Sequence, residues 1–260
     1  MYDGERLKAT LSNEGVLTIT LHNPDLLNAL DQQMAAEARE LRKLYDNHQI
    51  RVIVVTGHGR VFSAGGDLNY LDSLTRMSEE RVISEMRPFY RSFLDLVLYD
   101  VPSIAFINGH AVGAGLCFAL ACDFIMVNEE AKIGVNFVKL GLAPGMAAEW
   151  VMRRLPPVLA NEMLLTGRIY RARELQQWPV FNYLGPAERL TEQVQELAAE
   201  LAGNSSRAIR FTLDNLRDRT RPLEQVLDRQ AQAQADCAVN GEVQGAIVAV
   251  REKRPYDFQD

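Results

Sequence analysis

Apolar and polar positions alternate from Val16 to Leu21, where Leu17, Ile19 and Leu21 fall on one side and Val16, Thr18 and Thr20 on the other. That period of two predicts a β-branched strand. Leu30, Met34, Ala38, Leu41 and Tyr45 then recur at intervals of three and four, which predicts a helix. Arg51–Thr56 contains the unbroken apolar run Val52-Ile53-Val54-Val55, as expected of a strand covered on both faces, and Gly57 ends it. Ser103–Ile107 and Phe124–Val127 repeat that run, each beside a glycine-rich or polar turn. The alternation of such strands with helical segments predicts an α/β protein with a layered parallel core.

From about Pro186 the pattern becomes helical. Ala187, Leu190, Val194, Leu197 and Leu201 form an apolar stripe opposite Glu, Gln and Arg, and Gly203-Asn204 supplies a stop. Ser205–Asp218 and Leu223–Val239 follow in the same manner, separated by Arg221-Pro222. So short a segment has no core of its own. Its stripes must dock on the main body or on another subunit, so an oligomer is expected.

Composition narrows the function classes. A chain of 260 residues with 47% apolar residues can bury one large core. Its apolar runs, such as that around Val101–Ile107, fall far short of the roughly 20 residues that span a bilayer, and Met1–Thr10 is too polar for a signal peptide. A cytoplasmic protein without membrane contact is expected. The net charge of −6, with no concentrated Lys/Arg stripe, speaks against nucleic acid as a partner. Cys117, Cys122 and Cys237 read as reduced thiols, and no C-x-x-C spacing suggests a metal site.

Two small-residue loops carry the candidate chemistry. They are Phe62-Ser63-Ala64-Gly65-Gly66-Asp67-Leu68 and Asn108-Gly109-His110-Ala111-Val112-Gly113-Ala114-Gly115, each following an apolar strand. Residues without bulky side chains let a ligand touch the backbone, and a loop entering a helix leaves unpaired N–H groups pointing outward. Two such groups make an oxyanion hole. Either loop alone reads equally well as a tight turn or a helix-packing contact.

With these loops, the sequence resembles the crotonase superfamily, the enoyl-CoA hydratase/isomerase family. The likeness extends through Asn23-Pro24 to Asn28-Ala29-Leu30, Pro102–Gly115, Ala121-Cys122-Asp123, Leu140-Gly141-Leu142 with Pro144-Gly145, and Glu252-Lys253-Arg254. The resemblance implies a ββα spiral core over residues 1–185 and a C-terminal helical trimerisation region over 186–260. It implies a homotrimer, or a dimer of trimers, that acts on acyl-CoA thioesters in fatty acid metabolism, with no cofactor beyond the CoA moiety of the substrate. Carried over position by position, the family's two oxyanion-hole N–H donors fall on Gly66 and Ala114. Ala64, Asp67, Leu68, Cys117, Phe137, Gly145 and Lys253 fall at substrate-facing positions. Among these, Asp67, like Asn108, also suits a loop-fixing role, since short polar side chains hydrogen-bond at turns.

The departures from the family pattern bear on the reaction. Family hydratases carry a glutamate two residues after the last glycine of the second loop and another four residues before the glycine of the Leu-Gly pair. Here those positions are Cys117 and Phe137. Members that use an aspartate at the Pro-Gly turn would place it at Gly145. Hydration of an enoyl-CoA needs a deprotonated water and a reprotonated α-carbon, work shared by two carboxyls, so ordinary hydration is not expected. Glu149, four residues after Gly145, is a candidate acid/base, or a solvent-facing helix glutamate. His110 is a second candidate, or a packing residue. Cys117 reads as a thiol of lowered pKa near a helix start, or as a buried core cysteine. Lys253 reads as a contact for the CoA phosphates, or as a solvated lysine.

Two function classes follow. One is an enzyme using the hole for isomerase, hydrolase or decarboxylase chemistry; the other is a catalytically silent acyl-CoA-binding or assembly subunit. A dinucleotide-binding oxidoreductase is disfavoured, because Phe118 stands where a G-x-G-x-x-G pattern from Gly113 needs its third glycine.

Overall fold

The computed structural model describes residues 1–47, 49–218, 222–239, 242–256 and 258. The strands are β1 (Tyr2–Asp3), β2 (Leu7–Leu11), β3 (Val16–Leu21), β4 (Val52–Gly57), β5 (Val61–Ser63), β6 (Ser103–Ile107), β7 (His110–Val112), β8 (Phe124–Asn128), β9 (Lys132–Gly134), β10 (Ile169–Arg171) and β11 (Tyr183–Gly185). The helices are α1 (Gln32–Lys43), α2 (Leu68–Leu74), α3 (Glu79–Val97), α4 (Ala114–Ala121), α5 (Met146–Arg154), α6 (Pro157–Thr166), α7 (Ala187–Ala202), α8 (Ser206–Arg217), α9 (Leu223–Val239) and α10 (Glu242–Arg251). A seven-stranded sheet runs β1-β2-β3-β4-β6-β8-β11, antiparallel through its first three strands and parallel from β3 onward. A second sheet runs β10-β9-β7-β5.

The chain climbs in repeats. Each of β4, β6 and β8 in the large sheet passes through a short turn to β5, β7 or β9 in the small one, and a helix follows. This is the ββα spiral. Both faces of the large sheet are covered, which explains the unbroken apolar run in β4. Ile53 and Val55 face the main core with Leu41 of α1, Leu96 of α3 and Ala119 of α4. Val52 and Val54 face the other way, with Ile104 and Met126, under Leu190, Val194, Ala198 and Ala202 of α7. The first helix of the C-terminal segment thus finds its apolar partner on the large sheet.

Asp123 ties the helical segment to the strands. Its carboxylate accepts hydrogen bonds from the N–H and hydroxyl of Ser103, both at 2.9 Å, at the start of β6. It also receives Arg217 from the end of α8, with Nη2 at 2.6 Å and Nε at 3.1 Å. The same guanidinium donates to the carbonyls of Val101 at 3.2 Å and Tyr99. Both side chains are largely buried, so removing one partner strands the other. Arg217→Met is expected to destabilise the fold by about 3 kcal/mol, lowering the melting temperature by roughly 6 to 12 °C. A calorimetric shift below about 2 °C would show that the network is dispensable.

Candidate functional site

The first loop is held from below by the Asn23–Asn28 turn. Leu27 and Asn28 both adopt left-handed backbone, with φ of 52° and 56°. Asn28 suits that conformation and is buried. Its Nδ2 donates to the carbonyls of Val61 at 2.7 Å and His58 at 2.9 Å, and its Oδ1 accepts from the N–H of Asn23 at 2.9 Å. The turn delivers Leu30 alongside the loop. Leu30 N–H donates to the Gly65 carbonyl at 2.7 Å, and its carbonyl accepts from Asp67 N–H at 3.0 Å. In such a parallel bridge the intervening residue turns its own N–H to the opposite side, and that residue is Gly66. Asp67 caps α2, accepting from Tyr70 N–H at 2.7 Å. Its carboxylate is engaged in fixing the loop. Ala64 and Leu68 are exposed on either side.

The second loop is fixed at both ends. Asn108 donates to the carbonyls of Gly59 at 2.8 Å and Gly57 at 2.9 Å, and accepts from Gly57 N–H at 3.1 Å. Gly113, with φ +55° and ψ −124°, donates to the Gly134 carbonyl at 2.9 Å and turns the chain into α4. Ala114 is the first residue of that helix, where an N–H has no acceptor in the preceding turn. Glycines let the loops touch. A Cβ on Gly115 would stand 2.5 Å from Ser63 Cβ, and one on Gly65 only 2.9 Å from the Val112 carbonyl oxygen and 3.6 Å from Ala114 N. Among the described residues, nothing accepts from the N–H of Gly66 or of Ala114.

Beside these loops lies an apolar cavity. Its walls are Leu30, then Phe89, Tyr90, Phe93 and Leu94 of α3, Ala114, Cys117 and Phe118 of α4, and Phe137, Pro144 and Ala147. Cys117 and Phe137, the positions where the resemblance expects acids, are both in these walls. Gly145, the N-cap of α5 with φ +52°, meets the cavity through Tyr90: a Cβ on it would lie 3.1 Å from the phenol oxygen. Burial, with a smaller contribution from Cys117, pushes the Tyr90 pKa above the ordinary phenol range.

Several candidates sit elsewhere or behave otherwise. Cys117 is buried, and its S–H donates to the Gly113 carbonyl at 2.9 Å. Desolvation pushes its pKa up, overriding the helix start that suggested a lowered value. It is a neutral thiol in the wall. Glu149 is half exposed and binds Arg153 Nε at 2.5 Å. Gly145 is an N-cap and not a helical position, so a four-residue step does not carry Glu149 to its face. Ala147 takes the cavity side, and Glu149, two residues on, faces away. His110 is exposed on β7, where its Nδ1 accepts from Lys132 N–H at 3.0 Å. Partial burial, then the charges of Lys132 and Arg171, lower its pKa. It pins β7 to β9 and does not line the cavity. Lys253 lies exposed in the turn after α10.

Tyr90 is the residue the sequence does not single out. Its signal is weak: one tyrosine beside the Phe89, Phe93, Leu96 stripe.

The sequence model of the Enoyl-CoA hydratase/isomerase family matches residues 12–260. A "putative enoyl-CoA hydratase" of Thermus thermophilus is 32% identical over 245 residues, covering 94% of this chain and 97% of that protein. The 2,3-dehydroadipyl-CoA hydratase of Escherichia coli is 30% identical over 247 residues, covering 94% and 95%. Among solved structures, an enoyl-CoA hydratase from Polaromonas sp. JS666 superposes with a TM-score of 0.87 at 28% identity, covering 96% of this chain and 98% of that one.

Proposed function

The chain belongs to the enoyl-CoA hydratase/isomerase family, and from that premise we propose that Gly66 and Ala114 N–H groups hold a thioester carbonyl for enolate or oxyanion chemistry other than paired-acid hydration. One observation carries this reading. Two unpaired backbone donors stand on touching loops beside an apolar cavity that, among the described residues, has no carboxylate in its walls. Chemistry next to a thioester carbonyl puts negative charge on its oxygen, and preorganised donors in a dry site stabilise that charge more than the neutral ground state. The aromatic walls suit an acyl chain. Isomerase, hydrolase and decarboxylase reactions all use such a hole.

On the same premise, the exposed apolar side chains of α8–α10, Leu216, Leu227, Ile247 and Val250, are the contact surface of a homotrimer. Light scattering tests that mass. Among the described residues, no helix is long and apolar enough to cross a membrane.

The test of the hole is a comparison of a thioester with its free acid. Calorimetry is expected to give butyryl-CoA at least about tenfold tighter binding than butyrate, because only the thioester joins carbonyl contacts to nucleotide contacts. Equal affinities sink the assignment. A panel of enoyl-, β-keto- and malonyl-type CoA thioesters then separates an enzyme, which forms product from at least one, from a silent binder, which forms none.

A further inference from the structure

Resting on that reading, we propose that Tyr90 is the proton donor of this site and that the substrate is a 2-carboxyacyl-CoA, which loses carbon dioxide to form the enolate that Tyr90 then protonates.

The geometry leads there by elimination. Tyr90 carries the only hydroxyl among the described cavity walls, and those walls contain no carboxylate, imidazole or amine. The other protic group, the Cys117 thiol, already donates to the Gly113 carbonyl at 2.9 Å. Tyr45 and Tyr99, by contrast with Tyr90, spend their hydroxyls on Leu96 O at 3.0 Å and Asp46 Oδ1 at 2.9 Å. Nothing among the described residues accepts the Tyr90 proton. The absence of a side chain at Gly145 leaves the phenol its place, since a Cβ there would lie 3.1 Å from the oxygen. An acid is present. A base is not.

Isomerisation begins by removing a C–H proton, and hydrolysis by deprotonating water, so both need a base at the reacting atoms. Decarboxylation needs none. The C–C bond to the carboxylate breaks, its electron pair passes through the α-carbon to the thioester oxygen held by Gly66 and Ala114 N–H, and neutral carbon dioxide leaves. The enolate pair then returns to the α-carbon and takes the Tyr90 proton, and the phenolate recovers a proton from water. One solvent proton is consumed per turnover, with no oxidant or reductant. An apolar cavity favours the direction, because it solvates a carboxylate poorly and carbon dioxide well. The raised phenol pKa keeps the donor protonated at neutral pH.

The experiment uses the full chain with malonyl-CoA and methylmalonyl-CoA as probes, following loss of the carboxyl group by mass spectrometry. Turnover of at least one is expected, with kcat falling about 10²-fold in Tyr90→Phe while butyryl-CoA binding stays within about twofold. Activity should hold up to pH 10 or beyond, because a donor whose pKa is raised loses its proton only above the ordinary phenol value of 10.0. A merely structural tyrosine moves none of these together. In heavy water, wild type should turn methylmalonyl-CoA into propionyl-CoA deuterated in a single configuration, which needs no variant to fold. Binding of thioester without decarboxylation of either probe overturns the proposal, as does a racemic label or Tyr90→Phe turnover within threefold of wild type. Failure to bind any thioester overturns the reading beneath it instead.

Discussion

Replacing Ala114 by proline is expected to lower kcat/KM for any thioester the protein turns over by about 10²- to 10³-fold, in a chain that still folds. Proline at the first position of a helix costs little, because the N–H it lacks has no intrahelical acceptor and its φ suits the turn. Ala114 is that position in α4. The structural bonds around it come from other residues: Gly113 N–H to the Gly134 carbonyl at 2.9 Å and Cys117 N–H to the Gly113 carbonyl at 3.2 Å. The substitution therefore removes one donor and leaves the loop's own hydrogen bonds in place. Ala114→Gly, which keeps the N–H, is the control and should stay within a few-fold of wild type. Steady-state kinetics on both variants, with thermal melts to verify folding, decide the matter. Full activity in the proline variant means that the thioester carbonyl is held somewhere else.

How much of this was legible depended on which physical signal each element carries. β3 and β6 begin and end where alternation and the continuous apolar run predict, at Val16–Leu21 and Ser103–Ile107, because each side chain reports a fixed face of the large sheet. The two loops were legible through their small residues, which record the close approach of Gly115 to Ser63 and of Gly65 to Val112. Strands of three residues such as β7, β9 and β10 are too short to show a period. The helix α3 was not predicted at all. Pro88 lies inside its 19 residues, where a proline ordinarily marks a boundary, and the helix persists because Phe89, Phe93 and Leu96 bury one face in the core. Missing that helix hid Tyr90. Burial is the other quantity that local sequence does not supply: Cys117 lies in the first turn of α4, which suggests a reactive thiolate, yet desolvation decides its protonation the other way. The side on which Glu149 emerges turns on a backbone detail, since whether Gly145 is inside or before the helix determines the face of every later residue.

The Cys117→Glu, Phe137→Glu double variant is expected to hydrate crotonyl-CoA measurably where the wild type does so little or not at all. Both positions line the cavity beside Ala114, so carboxyls there would face whatever thioester the hole holds. Each properly placed acid or base contributes about 10²- to 10⁴-fold, which makes a detectable gain a fair demand even with imperfect placement. One substitution alone should do much less, because a single carboxyl cannot both position the water and manage the second proton. The new groups also enter an apolar wall. Burial will raise their pKa values, which suits one of them to act as the acid, and the first turns of α4 favour a negative charge at position 117. The cost in stability is about 1 to 3 kcal/mol for each carboxyl left without a partner, so a thermal melt and butyryl-CoA binding come first. A folded, thioester-binding double variant that hydrates crotonyl-CoA no faster than wild type would mean that the acyl group does not lie between residues 117 and 137. The match of these two positions to the family's acids would then have to be given up, and with it the argument from their absence against ordinary hydration.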